Sequence, residues 1–123
     1  MARFGYLYLR QGRWNGQQII PSKWIAESTT SYSKTGNDGG GYGYLWWVDR
    51  LGLPVRTYHA QGALAKYIVV VPDRQLVVVY QNHTEFPDAS AGFSDEQISK
   101  LPEAKTPQIS KFLWLLLDAQ ERP

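Results

Sequence analysis

Two short β-branched runs, residues 67–71 and 76–80, constrain the fold of this chain more than any other feature. Valine and isoleucine favour strands, and the intervening Pro72-Asp73-Arg74-Gln75 has turn chemistry, so the sequence predicts a β-hairpin. Neither run alternates apolar with polar residues, which indicates that both faces of the hairpin are covered. A central sheet with helices packed on it satisfies this pattern.

Two further segments, residues 41–48 and 56–62, are interpreted as strands that precede the hairpin, which occupies residues 67–82. The predicted fold class is therefore α+β, an α/β sandwich-like arrangement in which an antiparallel sheet of about three strands carries flanking helices. The length of 123 residues suits one domain or a piece of one, and 43% hydrophobic residues can build a core.

The segments on either side of the sheet have their own signals. Asn15-Gly16 is a strong hairpin turn, Pro21 suits the first turn of a helix, and Thr106-Pro107 suits the start of another. We interpret residues 1–123 as a single partial domain. Its predicted divisions are a helical region with a hairpin and a polar loop (1–40), the antiparallel sheet (41–82), a polar excursion (83–105) and a C-terminal helix (106–123).

Charge and composition argue against several classes of partner. A net charge of +2 and a pI near 8.9 are too small, and the basic residues too scattered, to indicate nucleic acid or a membrane surface. No apolar run approaches the roughly 18 residues of a membrane span, and no signal-peptide pattern opens the sequence. Cysteine is absent, and the two histidines, His59 and His83, are widely separated. We therefore expect no metal site and no cofactor.

Three aromatic or imidazole side chains are candidates for the wall of a cleft. Trp46 and Trp47 are adjacent on a predicted strand, so one ring should enter the core and the other can line a cleft. The same alternation points His59 to the face opposite Ala60. A satisfied polar residue in the sheet is the alternative interpretation of His59.

Several motifs along residues 1–82 occur in the order found in a known family. They are ARFGYLYL (2–9), GRWNG (12–16), IIP (19–21), WI (24–25), GYGYLWW (41–47), AQG (60–62), YIVVVPD (67–73) and LVVV (76–79). Together they resemble the late helical region and the last three strands of serine β-lactamase-like hydrolases. That family contains class C β-lactamases, D-alanyl-D-alanine peptidases and related esterases.

The resemblance implies that this chain is the C-terminal part of such an enzyme. The family's Ser-x-x-Lys helix and Tyr-x-Asn loop lie upstream of every matched motif, so no complete catalytic set is expected here. The serine needs a nearby lysine or tyrosine to activate it, and the chain alone should be inactive. The resemblance implies a β-lactam, D-amino-acid peptide or ester substrate for the intact protein, and a periplasmic or extracellular location.

One element of the family's active site has a counterpart in this chain. A Lys/His-Thr/Ser-Gly triplet lies on the strand beside the nucleophile, and Ala60, Gln61 and Gly62 stand at that place, with Ala60 replacing the cation. By the family's geometry, the backbone N–H of Ala63 is an oxyanion-hole donor. Lys66 is a candidate to restore a positive charge nearby.

Literal copies of the family's motifs do not change this interpretation. Residues 31–34 fit Ser-x-x-Lys, 34–36 fit Lys-Thr-Gly and 80–82 fit Tyr-x-Asn. The first two lie in a predicted polar loop, whereas a catalytic nucleophile must be positioned by a rigid element such as a buried helix. The alternative function is a non-catalytic binding or assembly module derived from the fold. A sheet without the family's N-terminal strands exposes an edge, so we also expect self-association through that edge.

Overall fold

The chain folds into short helices around one principal sheet. The computed structural model describes residues 1–34, 40–62, 66–81 and 106–121. No helix in these ranges is long and apolar enough to cross a membrane. The described elements are α1 (Ala2–Leu9), β1 (Arg13–Trp14), β2 (Gln17–Gln18), α2 (Ser22–Ser28), β3 (Ser33–Lys34), β4 (Gly41–Tyr42), β5 (Trp47–Val48), β6 (Tyr58–Gly62), β7 (Lys66–Val71), a 3₁₀ turn (Pro72–Arg74), β8 (Leu76–Gln81) and α3 (Thr106–Glu121).

The principal sheet has six described strands in the order β3-β4-β5-β6-β7-β8, and every neighbouring pair is antiparallel. The predicted α+β class is confirmed, but the prediction of about three strands is wrong. Residues 41–48 form two strands because the chain turns between them: Leu45 has a φ of 64°, and the Gly43 N–H donates to the Trp46 carbonyl over 2.8 Å. The segment expected to be a polar loop adds β3.

β7 and β8 form a hairpin that lies between α1 on one face of the sheet and α3 on the other. Their register runs from Lys66 opposite Gln81 to Val71 opposite Leu76. The 3₁₀ turn reverses the chain, and the left-handed Gln75, with a φ of 50°, closes it. β8 pairs with β7 alone among the described strands, so it is an edge strand of the described sheet. Self-association stays a prediction, with the outer edge of β8 as its place.

One face of the sheet packs against α1 at very short range. A Cβ atom added to Gly5 would lie 2.6 Å from a methyl carbon of Val77 and 2.8 Å from one of Ile68, so only glycine permits this approach. Beside the contact, the rings of Tyr8 and Trp46 lie 4.6 Å apart between centroids. The buried cluster of this α1 face contains Tyr8, Leu9, Ile25, Trp46, Val48, Tyr58 and Val70.

The opposite face packs against α3. Ile109, Leu113 and Leu117 recur every four residues and form the buried stripe of that helix. The buried cluster of this α3 face contains Leu51, Tyr67, Val69, Val71, Ile109, Leu113 and Leu117. Helices thus cover both faces of the β7–β8 hairpin, as its uninterrupted apolar runs indicate.

A small second hairpin lies at the end of α1. The chain leaves the helix through left-handed Gln11 and Gly12, and the Gly12 N–H donates to the Leu7 carbonyl over 2.8 Å. β1 and β2 then meet at Asn15 and Gly16, whose φ angles of 47° and 79° suit a tight two-residue turn. The predicted polar excursion, residues 83–105, lies outside the described residues.

Candidate functional site

A cavity of about 310 Å³ lies at the end of the β6–β7 pair. It is lined by Met1, Ala60, Gln61, Gly62, Lys66, Tyr67 and Ile68. The strand predicted to correspond to the triplet and the predicted cation therefore meet at one concave site. We call this site the β6–β7 cavity.

The strand register explains why these residues come together. Gly62 lies opposite Lys66, and Ala60 lies opposite Ile68 on the neighbouring strand. Since directly opposed residues project to the same face, Ala60, Lys66 and Ile68 share the α1 side of the sheet. Ala60 also packs against the buried cluster of that side. The described lining therefore combines the small residues Ala60 and Gly62 with the lysine side chain of residue 66.

The chemistry offered by the described lining is limited. Lys66 is its only charged side chain, and it contains no serine, threonine or cysteine. Tyr67 is buried, whereas Gln61 and Lys66 are exposed. These residues can hold a carbonyl or an anionic group, but they include no conventional acyl-transfer nucleophile. In the described ranges, no group of three His, Cys, Asp or Glu residues is placed to hold a metal ion.

His59 lies on the other side of the sheet. It is opposite Trp47 on β5 and Val69 on β7, and its ring centroid is 5.8 Å from that of Tyr67. Its Nδ1 atom is buried and has no hydrogen-bond partner among the described residues. Burial, together with the positive charge of Arg50, lowers the pKa of His59 to about 4, although a side-chain hydrogen bond with Gln61 opposes the shift. The imidazole is therefore neutral near pH 7, and it contacts Gln61 and Tyr67, two residues of the cavity lining.

The two tryptophans occupy different environments. Trp46 is 3% exposed and belongs to the buried cluster of the α1 face. Trp47 is half-buried, and the guanidinium carbon of Arg50 lies 5.0 Å from its ring centroid. Neither is among the lining residues of the β6–β7 cavity.

Other predicted positions lie outside the cavity or outside the described residues. Ala63, the predicted oxyanion donor, is not among the described residues. Ser31 and Lys34 of the literal Ser-x-x-Lys motif are exposed, and the Ser31 hydroxyl donates to the Ser33 carbonyl over 3.3 Å. Tyr80 belongs to the α3 face.

Met1 is a lining residue that the sequence did not indicate. Its sulfur accepts a hydrogen bond from the Gln81 side-chain amide over 3.7 Å, which connects positions 80 residues apart. The α1–sheet contact at Gly5 brings these chain segments together. No local motif encodes this proximity, so only the tertiary fold reveals it.

Comparisons with known proteins agree with the architecture. No model of a known protein family matches the chain. An uncharacterised protein of Alkalihalophilus pseudofirmus is 29% identical over 90 residues, covering 64% of this chain and 27% of that protein. A solved structure named "Putative 6-aminohexanoate-dimer hydrolase from Bacillus anthracis" has a TM-score of 0.55 and 21% identity, covering 91% of this chain and 28% of that one. The chain spans about a quarter of the length of either protein, and it shares its fold with part of the second.

Proposed function

We propose that this chain is the C-terminal part of a serine β-lactamase-like acyl hydrolase. One observation carries the proposal: Ala60, Gln61, Gly62 and Lys66 line one cavity. We propose Ala60 to Gly62 as the counterpart of the family's triplet. The fold similarity to a hydrolase supports it, as does the fact that the chain covers only 28% of that protein. The nucleophilic serine and its activating partner belong, in this proposal, to residues outside the present sequence.

The strand supplies a binding edge in the proposed reaction. A serine attacks the substrate carbonyl, an acyl-serine forms as the leaving group departs, and water then hydrolyses the acyl group. Backbone donors stabilise the oxyanion of each tetrahedral intermediate, and Ala63 is proposed as one of them. Ala60 and Gly62 are small, so a substrate chain can approach the end of β6 closely.

Lys66 and the apolar residues around it favour a particular substrate class. The lining includes Met1, Ala60 and Ile68, and the Lys66 ammonium is its charged side chain. A substrate with a short apolar chain that ends in a carboxylate matches both properties. A 6-aminohexanoate dimer, the compound in the name of the similar structure, is an amide of this kind. We propose an amide or ester with a carboxylate-ended aliphatic chain.

A non-catalytic binding module is the second candidate. The specific observation in its favour is that the described lining contains no serine, threonine or cysteine. A binding module would retain the cavity and its lysine without any acyl transfer. The acyl hydrolase would therefore turn over its substrate, whereas the binding module would only bind it.

Hydrolysis of matched esters by the product of the whole reading frame tests the proposal. We expect turnover of p-nitrophenyl esters of adipic acid and of hexanoic acid, which differ by one carboxylate. Lys66→Gln should lower the kcat/KM ratio of the adipate to the hexanoate ester about tenfold, because one charge-assisted contact is lost. Lys111→Gln, on the exposed side of α3, is the matched control.

Each outcome of this experiment discriminates. No hydrolysis of either ester, with the cavity still binding adipate, would contradict acyl transfer and support the binding module. If the esters are hydrolysed but Lys66→Gln leaves the kcat/KM ratio of the two esters unchanged, the acyl-hydrolase proposal stands and the role of Lys66 is contradicted.

A further inference from the structure

A second cavity, of about 400 Å³, lies at the opposite end of α1 from Met1. Its lining residues are Tyr6, Arg10, Arg13, Trp14, Asn15 and Gly16, and we call it the arginine groove. Since the eight residues of α1 rise by about 12 Å, the groove is separate from the β6–β7 cavity. Nothing in the proposed acyl-transfer reaction uses it.

The groove forms because a helix and a hairpin lie side by side. Tyr6 and Arg10 are four residues apart and share one side of α1. The turn at Gly12 returns the chain so that β1 runs beside that side, and the Tyr6 and Trp14 rings meet edge to face with centroids 6.0 Å apart. This aromatic contact gives the groove a fixed wall.

Two guanidinium groups in this groove lack partners among the residues that the structure describes. Arg10 and Arg13 are both exposed, and neither has an ion pair or a side-chain hydrogen bond with any described residue. Two cations that line one concavity repel each other, and a bound anion relieves that repulsion. Guanidinium groups bind carboxylates and phosphates with paired hydrogen bonds, and they keep their charge at every physiological pH.

We propose that the arginine groove binds a small aromatic anion, with its phosphate or carboxylate at Arg10 and Arg13 and its ring against Trp14 and Tyr6. The volume is sufficient for a single-ring ligand of this class. The ring contributes apolar and stacking contacts, and the anion contributes charge-assisted hydrogen bonds. The site is independent of the proposed hydrolase activity.

Titration of the ¹⁵N-labelled chain with phenyl phosphate tests the site. The indole N–H signal of Trp14, assigned with Trp14→Phe, should shift saturably with a Kd on the order of 1 mM at low ionic strength. Inorganic phosphate and phenol carry one half of the ligand each, and each should bind at least about tenfold more weakly.

Arginine variants identify the anion contacts. Arg10→Gln and Arg13→Gln should each weaken phenyl phosphate binding about tenfold. Arg3→Gln removes the same charge from the same helix at an exposed position outside the groove, and it should change Kd less than twofold. Thermal unfolding of each variant verifies that the fold is intact.

The remaining outcomes overturn the proposal. Absence of a saturable Trp14 shift excludes the site. An equal effect of Arg3→Gln reduces the binding to general charge attraction, and equal affinity for inorganic phosphate contradicts the aromatic part of the ligand class.

Discussion

Tyr58 and His59 are adjacent on β6, point to opposite faces of the sheet, and have pKa values that burial shifts in opposite directions. Tyr58 points into the α1 face, where burial raises its pKa to about 12. His59 points to the other side, where burial lowers its pKa to about 4. Both groups are held neutral near pH 7, because a charge is costly when it leaves water. Of these two groups, only the histidine differs in protonation between pH 4 and 6.5, where it is neutral in the folded chain and charged in the unfolded chain. The two faces should therefore respond differently to acid.

The faces also differ in how they are assembled. The α1 face depends on a close helix–sheet contact at Gly5 and on interlocked aromatic rings. The α3 face depends on a stripe of aliphatic side chains over the valines of β7. The β6–β7 cavity is lined by residues of both faces, among them Ala60 of the first and Tyr67 of the second, whereas the buried imidazole belongs to the second face alone. The comparison indicates that acid sensitivity belongs to the α3 face, whereas the candidate cavity lies where residues of both faces meet at the end of the sheet.

Truncation of the α3 stripe should have the largest effect on stability. Leu113 is fully buried, with 0% exposure, so Leu113→Ala should lower the free energy of unfolding by about 3 kcal/mol through lost burial and a residual cavity. Leu115 on the same helix is 60% exposed, and Leu115→Ala should change it by less than about 0.5 kcal/mol. Urea unfolding of both variants measures the difference. Equal losses would contradict the assignment of the buried stripe.

Acid should destabilise the protein through His59. Its folded pKa of about 4 lies below the unfolded value of 6.5, so the unfolded chain binds more protons between these values. The stabilisation is complete above pH 6.5 and is lost as pH falls toward 4, by about 3 kcal/mol in total. Urea unfolding from pH 7 to 4 measures this slope.

Two neighbouring variants identify the group responsible for the slope. His59→Gln should reduce the slope of the unfolding free energy against pH between pH 4 and 6.5. The reduction should correspond to nearly one proton taken up on unfolding, whatever the effect of the substitution on absolute stability. Tyr58→Phe should keep the slope of the native chain, because the phenol does not titrate there. An unaltered slope in His59→Gln would show that other groups cause the acid sensitivity.

The glycine contact predicts a moderate loss on the α1 face. Gly5→Ala should lower the free energy of unfolding by about 1–2 kcal/mol, because the new methyl group overlaps Val77 and Ile68. The helix propensity gained from alanine, about 1 kcal/mol, offsets only part of this cost. Arg3→Ala, exposed on the same helix, serves as the control in thermal unfolding. A Gly5→Ala variant more stable than the native chain would contradict the close packing.

Substitution of Arg50 should have the smallest effect on the free energy of unfolding, and it should also change the pKa of His59. Its guanidinium lies over the Trp47 ring, so Arg50→Gln should cost about 0.5–1 kcal/mol. Loss of its charge should also raise the pKa of His59, while burial keeps that pKa below its ordinary value. NMR titration of the His59 ring measures the shift. A decrease in the pKa would contradict the proposed electrostatic contact.

Local sequence chemistry predicted the strongest elements of this fold. The β-branched runs and the Pro72 turn predicted the β7–β8 hairpin, and Asn15-Gly16 predicted the first hairpin. β3 was not predicted, and β4 and β5 were predicted as one strand over residues 41–48, because their pairing depends on tertiary contacts and on the left-handed Leu45. Period-2 alternation placed His59 and Ala60 on opposite faces.

The candidate site was predictable only in part. Ala60, Gln61, Gly62 and Lys66 were chosen through the family resemblance, and their convergence depends on the β6–β7 register. Met1 enters the cavity through packing of α1 on the sheet, which no local pattern encodes. The arginine groove was also missed, since Arg10 and Arg13 become neighbours of one cavity only after the chain turns at Gly12.

Covalent labelling tests the central proposal most directly. The 123-residue chain and the product of the whole reading frame are each incubated with a fluorophosphonate and analysed by intact mass and peptide mapping. We predict an adduct on a serine of a Ser-x-x-Lys helix outside these residues, and no adduct on the 123-residue chain. An adduct on Ser31 of the chain alone, or labelling of neither protein in its folded form, would contradict the account.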